Sequence, residues 1–255
     1  MESQTSKTSE LFEGCGAHAL VRDKNQGSFK KYKSIVIGDG GVFTFLKYEL
    51  ITCLFGSFPG AFGLWLRQKI YPCLFHTCGS GIVFGRNMTL RHPGRIRLGN
   101  YIVFCDDVTL DAKGTVGEGI TIKDSVFIGK GTFISTIDGT LEIEDGANIG
   151  TYCRVATRQY TRIGKKALLA GYCYIVGAGH ETIRTDIPIL DQPSISKGGA
   201  SVGDGCWLGT KVSVMDGVTI GHDSIIGAHS LVTKDLPDYC IALGIPAKVV
   251  KMRKE

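Results

Sequence analysis

An aliphatic residue returns at every sixth position between Val202 and Val232, and few folds can use that interval. Val202, Leu208, Val214, Ile220, Ile226 and Val232 keep it without a slip. Gly203, Gly209, Gly221 and Gly227 follow four of them, with Met215 and Thr233 as exceptions. Small or apolar residues (Cys206, Val212, Val218, Ser224 and Ser230) stand two places before the next aliphatic. An α-helix repeats every 3.6 residues and a strand every two, so neither accounts for the pattern. A short fixed period implies stacked structural repeats, here a β-solenoid.

The register continues upstream. Leu98, Phe104, Leu110, Val116, Ile122, Ile128 and Ile134 are in phase. Ile143, Ile149 and Val155 resume after a slip of three residues, and Ile163, Leu169 and Ile175 after a slip of two. Phe84 and Leu90 open the array near Gly81. The repeat glycines are expected at the tight corners, where φ is positive.

This pattern resembles the hexapeptide-repeat acyltransferases, from about Gly81 to the C-terminus. The resemblance implies a mainly β fold, a left-handed parallel β-helix, against the usual right-handed crossover rule. It implies that three hexads close one triangular coil of roughly eighteen residues, with the aliphatic side chains inward and the flat sides stacked as parallel strands. The flanking residues themselves read as an N-terminal helical segment and a C-terminal cap. The organisation read from the chain is a flexible polar N-terminus over 1–41 and an apolar helical segment over 42–79. The repeat domain follows over 80–240 with a loop at 179–199, then a cap over 241–255. The polar start carries Lys30, Lys31 and Lys33 and is expected to hold one strand at Ser34 to Ile37. Gly244 and Pro246 followed by a short amphipathic helical end are expected to cover the open edge of the last coil.

Composition narrows the class. The chain has 255 residues, 43% of them hydrophobic, and its 35 glycines are explained by the repeat. A net charge of +5 without a basic stripe interleaved with aromatics excludes a nucleic-acid partner. The nine cysteines form no CxxC pair, and Cys105 and Cys206 fall inside hexads, which reads as buried thiols. Met1 to Glu10 has no apolar h-region, so a cytoplasmic location is expected, with membrane association left open.

Val42 to Phe75 is different in kind. It is dense in large apolar residues and is cut by Pro59-Gly60 into two short helices, Phe43 to Phe55 and Ala61 to Ile70. Neither reaches the ~20 residues that a bilayer crossing needs. Two readings stand: a helical hairpin packed on the solenoid, or a peripheral membrane foot with Arg67 and Lys69 near headgroups and Trp65 and Tyr71 at the interface. Arg86, Arg91, Arg95 and Arg97 cluster beside His92, as a solvated edge or as contacts to phosphate.

The chemistry is expected where the repeat breaks. Ile175 to Val202 holds no hexad, and a long insertion in a regular array is usually functional. It begins with His180-Glu181. The runs Trp207-Leu208-Gly209, Gly217-Val218-Thr219-Ile220-Gly221, Gly227 to Asp235 and Gly244 to Lys248 resemble the coenzyme-A-binding half of galactoside and maltose O-acetyltransferases. Those enzymes carry a catalytic histidine at the start of a loop before this tryptophan, and His180 matches it.

The resemblance therefore implies acetyl-CoA as co-substrate and a sugar or glycan acceptor, acetylated on a hydroxyl or amino group. It implies direct transfer without an acyl-enzyme, and a homotrimer with the cofactor groove between subunits. A neutral imidazole, which titrates near 6.5 in solution, is suited to take the acceptor proton at neutral pH. Trp207, Thr210, Ala228, Thr233, Lys234, Pro246, Lys248 and Lys251 match the cofactor positions. Lysines at 248 and 251 replace the family's arginines and keep charge without a bidentate fork. The asparagine that holds the acceptor in galactoside enzymes is missing from Gly150-Thr151-Tyr152-Cys153. Two other classes use the same coil: a γ-type carbonic anhydrase, which needs three histidines on zinc, and a non-enzymatic scaffold. His222 and His229, seven apart on the repeat, match that metal site poorly and read as solvated.

Overall fold

The aliphatic positions stack into three parallel sheets around one axis. The computed structural model describes residues 10–12, 26–38 and 40–253. Face I runs from Cys78 through Ile163 to Ile220, face II from Phe84 through Leu169 to Ile226, and face III from Leu90 through Ile175 to Val232. Successive coils pair in register, for example Val155 with Ile175 and Leu169 with Leu208. The result is a left-handed parallel β-helix of seven coils. The hexad positions named above are buried, with one exception: Val116 is 66% exposed.

Val116 corrects the register read from sequence. It lies between the strands Thr109–Lys113 and Gly119–Ile122. The bulge there happens to be one hexad long, so the spacing survives while the residue points outward. Asp138 Oδ1 accepts the Thr115 amide at 2.7 Å, and Arg95 donates to the carbonyls of Gly114, Val116 and Gly117. Those polar contacts hold the bulge against the neighbouring coils.

Each departure from the period of six falls on one edge. Steps from face I to II and from II to III are six residues in every coil, as in Leu98, Phe104, Leu110. The steps from III to I are longer from Leu90 to Leu98, Leu110 to Ile122, Ile134 to Ile143, Val155 to Ile163 and Ile175 to Val202. The III–I edge is thus where the chain adds loops, and the insertion containing His180 is the longest of them.

The repeat glycines have a different role from the expected one. The tight corners with positive φ hold glycine at Gly81, Gly131, Gly146 and Gly205, but side chains elsewhere: Tyr101, Ser125 and Lys166 on the I–II edge, Tyr152 and Tyr172 on the II–III edge. Each of those side-chain corners carries a left-handed backbone at a cost of about 1–2 kcal/mol. The repeat glycines sit one residue after the inward position, where the next coil passes close. A Cβ on Gly129 would lie 2.5 Å from the Gly150 carbonyl carbon, and one on Gly209 2.6 Å from the Ala228 nitrogen. Coil stacking, not a positive φ, requires glycine there.

Three helices cover the N-terminal end: α1, Ser28–Val36; α2, Val42–Phe55; α3, Gly60–Ile70. A helix replaces the strand expected at 34–37. Phe29, Tyr32 and Val36 are spaced for one helical face, Phe29 and Tyr32 pack edge-on against Phe45, and Val36 is buried. Tertiary contact overrides the β-branched bias of Ile35-Val36-Ile37. In α2, Phe45 is buried against α1, while Tyr48 and Ile51 join the solenoid core, and the Tyr48 hydroxyl donates to the Leu90 carbonyl at 2.6 Å. Phe75, Phe84 and Phe104 stack at 5.7 and 5.8 Å, joining this cap to the first two coils.

Two of the foot residues named from sequence are unavailable to a membrane. Tyr71 is wholly buried, and Arg67 is 2% exposed. Arg67 donates to the carbonyls of Phe84 and Phe58 at 2.9 and 2.8 Å, pinning α3 to the first coil, and burial lowers its pKa. At the other end the cap is a hairpin, Cys240–Gly244 with Ala247–Met252, in place of the expected helix. Its first strand pairs with Ile225–Ile226 and continues face II, so an open sheet edge selects a strand.

Candidate functional site

The insertion after Ile175 folds back on itself at the III–I edge. Face III ends its fifth strand at Tyr174–Gly177, and the chain then leaves the coil. Gly179–His180 pairs antiparallel with Ser194–Ser196, with His180 opposite Ser194. The strand Glu10–Phe12 lines the far side of Ser194–Ser196, making a three-stranded flap. The expected flexible N-terminus thus contributes a strand at 10–12; its other calls over 1–9 and 13–25 lie outside the described residues.

Two polar residues, buried Gln192 and half-buried Asp216, fix the flap. Gln192 Nε2 donates to the carbonyls of Arg184 and Ile187, at 2.7 and 3.2 Å, holding the loop interior together. Asp216, one coil on, accepts the amides of Lys197 and Gly199 at 2.6 and 2.9 Å and the Ser196 hydroxyl at 3.2 Å. Both carboxylate oxygens are thereby used to return the chain to face I.

Under the flap lies a cleft of about 210 Å³ on the outer side of face III, lined by Ser135, Arg154, Thr157, Tyr174, His180 and Ser194. The His180 side chain is exposed at its mouth, and no hydrogen bond fixes the imidazole among the described residues. Arg154 lies over the Phe133 ring, 4.7 Å from its centroid, and 5.9 Å from that of Tyr174. Cation–π contacts from both sides hold a positive guanidinium at the cleft. An imidazole, a fixed cation, three serine or threonine side chains and a tyrosine around one cleft suit a polyhydroxylated ligand.

Sequence reasoning found His180 but not its companions. Arg154, Tyr174 and Phe133 each immediately precede an inward residue, so they point outward from one face, one coil apart. That signal was present in the register. Gly150 to Cys153, where the resemblance would put an acceptor-holding asparagine, is the II–III edge, across face III from the flap. The positions one coil below the flap are Thr157 and Arg158, because Thr157 pairs with Gly177.

The cofactor candidates are distributed over the surface. Trp207 stands outward on face II, 50% exposed, stacked between Leu168 and Ile225. Thr210 and Ala228 adjoin on the II–III edge, and Thr210 donates to the Gly171 carbonyl at 2.8 Å. Thr233 and Lys234 are exposed after the last strand of face III, on the III–I edge. Pro246, Lys248 and Lys251 belong to the C-terminal hairpin, with Lys248 opposite Leu243 and Lys251 opposite Ile241. Face III separates His180 from Thr210 and Ala228 within one chain.

The histidines likewise lie on three edges: His222 on I–II, His229 on II–III and His180 on III–I. His222 sits between Asp223 and Asp238 at 3.1 and 3.0 Å, and hydrogen bonding to Asp223 raises its pKa. Cys153, Cys173 and Cys206 are interior. The neighbouring Cys153 side chain and burial push Cys173 up, and burial pushes Cys206 up to about 11. Burial keeps all three from acting as nucleophiles.

Residues 199–234 match the model of a bacterial transferase hexapeptide family (six repeats). The chain is 39% identical over 129 residues to a Mycobacterium tuberculosis protein named for acetyl transfer, covering 51% of this chain and 43% of that one. It is 30% identical over 140 residues to WcaF of Escherichia coli K12, which carries the name of a colanic acid biosynthesis acetyltransferase; the match covers 55% of this chain and 70% of WcaF. The stretch matched is thus less than half of the mycobacterial relative's length. In fold, it resembles a variant of AntD, an N-acyltransferase from Bacillus cereus in complex with dTDP and coenzyme A. The TM-score is 0.50 at 19% identity, over 78% of this chain and 92% of the other.

Proposed function

The chain belongs to the hexapeptide-repeat acyltransferases, and on that premise we propose that it transfers an acetyl group from acetyl-CoA to a hydroxyl or amino group of a sugar or glycan, with His180 as the general base. One observation carries the site assignment: His180 opens the longest insertion and stands at the mouth of a cleft lined by Arg154, Thr157 and Tyr174. The name of WcaF supports a glycan acceptor.

In this reading the acceptor lies against face III. Thr157, Ser135 and the Arg154 guanidinium hold its hydroxyls, and the tyrosine ring of Tyr174 supports a sugar face. His180 takes the proton as the acceptor oxygen or nitrogen attacks the thioester carbonyl. The carbon–sulfur bond breaks, and the departing thiolate receives that proton from the imidazolium. The interior position of Cys153, Cys173 and Cys206 supports this direct route. An acceptor screen with acetyl-CoA, read as free thiol, tests the proposal; sugar-dependent thiol release is expected. Release that is equal with and without every sugar would remove the acceptor class.

The cofactor groove is assembled between copies of the chain. Trp207, Thr210 and Ala228 face away from the His180 cleft of their own chain, so a complete site draws them from a neighbour. Closed threefold symmetry repeats that contact at all three cofactor grooves. Light scattering should give about three times 27.5 kDa. An active monomer at assay concentration contradicts the shared groove.

A further inference from the structure

The N-terminal cap has two apolar sides, and the solenoid uses only one. On α2, Phe43, Leu46, Leu50 and Leu54 form a helical stripe on the outer side, 88%, 56%, 61% and 54% exposed. On and before α3, Phe58, Phe62 and Trp65 are also exposed and pack ring on ring at 5.7 and 5.8 Å. An outward patch of this size on a soluble surface marks an interaction site. No helix among the described residues is long and apolar enough to cross a membrane.

Beside the stripe lies a larger cleft, about 630 Å³, at the base of the III–I edge. Its walls come from the end of α1, from Thr44, Lys47 and Tyr48 of α2, and from the loops at 92–95 and 113–115. Lys47, Arg95 and Lys113 line it, and no carboxylate among the described residues does. Arg95 donates only to carbonyls, and Lys47 Nζ to the Cys73 carbonyl at 2.8 Å, so neither charge is neutralised by an acid. His92, 7% exposed, also faces the cleft; its Nε2 contacts the Ser34 carbonyl at 3.0 Å, and its Nδ1 lies 3.6 Å from Asp111 without a hydrogen bond. Exposed Lys30 and Lys69 add charge near the patch, where Glu49 is engaged by the Tyr32 hydroxyl.

We propose that α2 and α3 seat this protein on an anionic phospholipid surface, with the apolar stripe in the acyl boundary and the basic cleft around a lipid phosphate. Charge decides between this occupant and a second copy of the chain. Two such patches, each flanked by uncompensated cations, repel one another, whereas an anionic bilayer supplies the missing countercharge. The cleft and the His180 flap share the III–I edge, separated by three to four coil spacings, about 15–20 Å. An acceptor anchored in the bilayer therefore lies along the edge that carries the base; this use rests on the acyl-transfer reading, and the docking does not.

Flotation of the full-length protein with phosphatidylcholine vesicles, with and without phosphatidylglycerol, tests the docking. Binding to the anionic vesicles at low salt is expected, with loss on adding salt. Leu50→Asp should weaken it by at least about tenfold, the worth of burying one leucine. Lys113→Gln should weaken it by about fivefold, the share of one surface cation. Leu50 is exposed, so its variant should melt as the wild type does. Failure of the wild type to float at low salt overturns the proposal, as does equal flotation of Leu50→Asp. Unchanged binding by Lys113→Gln removes the phosphate cleft. A larger assembly in solution that Leu50→Asp dissociates assigns the patch to a second copy and also overturns it. Vesicle binding without any acyl transfer counts against the function proposed above, not against the docking.

Discussion

His180→Ala should lower kcat by about 10²–10⁴-fold, the usual worth of a positioned general base. The acceptor's KM should change little, since Arg154, Thr157 and Tyr174 remain in the cleft. The fold should survive, because the side chain is exposed at the end of the two-residue strand Gly179–His180 and bonds no described residue. Turnover within a few-fold of wild type takes the role away from His180.

Phe84→Ala should cost about 3–5 kcal/mol, the range for deleting a large aromatic from a packed core. Phe84 is fully buried and lies between the stacked rings of Phe75 and Phe104, with Tyr71 at 5.4 Å. Its carbonyl also receives the Arg67 guanidinium, so the ring and its backbone sit at the joint between helices and coils. A cavity there cannot collapse easily, because the surrounding strands are fixed by ladder hydrogen bonds to the next coil. The melting temperature should fall by on the order of 10 °C. Each coil depends mainly on its neighbours, so the loss should begin at the N-terminal end and leave the C-terminal coils cooperative. A loss below about 1 kcal/mol in urea unfolding would show that the cap and first coil are not coupled through this stack.

The period of six from Leu98 to Val232 was enough to define the coil and nearly all of its interior. Burial of one residue in six is a local, repeating demand, and the inward positions from Leu98 to Val232 satisfy it with one miss, at Val116. The two helices after Val42 were legible for a similar reason, since Pro59-Gly60 interrupts any continuous helix. His180 was legible because a broken period is as visible as a kept one.

Other features depend on contacts that spacing does not carry. Gly129 and Gly209 answer to the backbone of the next coil, a distance set by stacking and not by their own φ. Helix Ser28–Val36 forms where β-branched residues favour a strand, because Phe45 and the first coil offer a face to cover. Arg67 reads as a surface cation until the carbonyls of Phe55, Phe58 and Phe84 surround it. Tyr174 is on the same coil as His180, but Arg154, Thr157 and Ser135 come from coils twenty and more residues earlier, gathered on one wall only when face III is built. Spacing along the chain therefore defines the coil, its core and the place where the chain leaves it. What lies beside that departure follows from the folded coils, because outward side chains obey no burial rule and meet their partners through stacking.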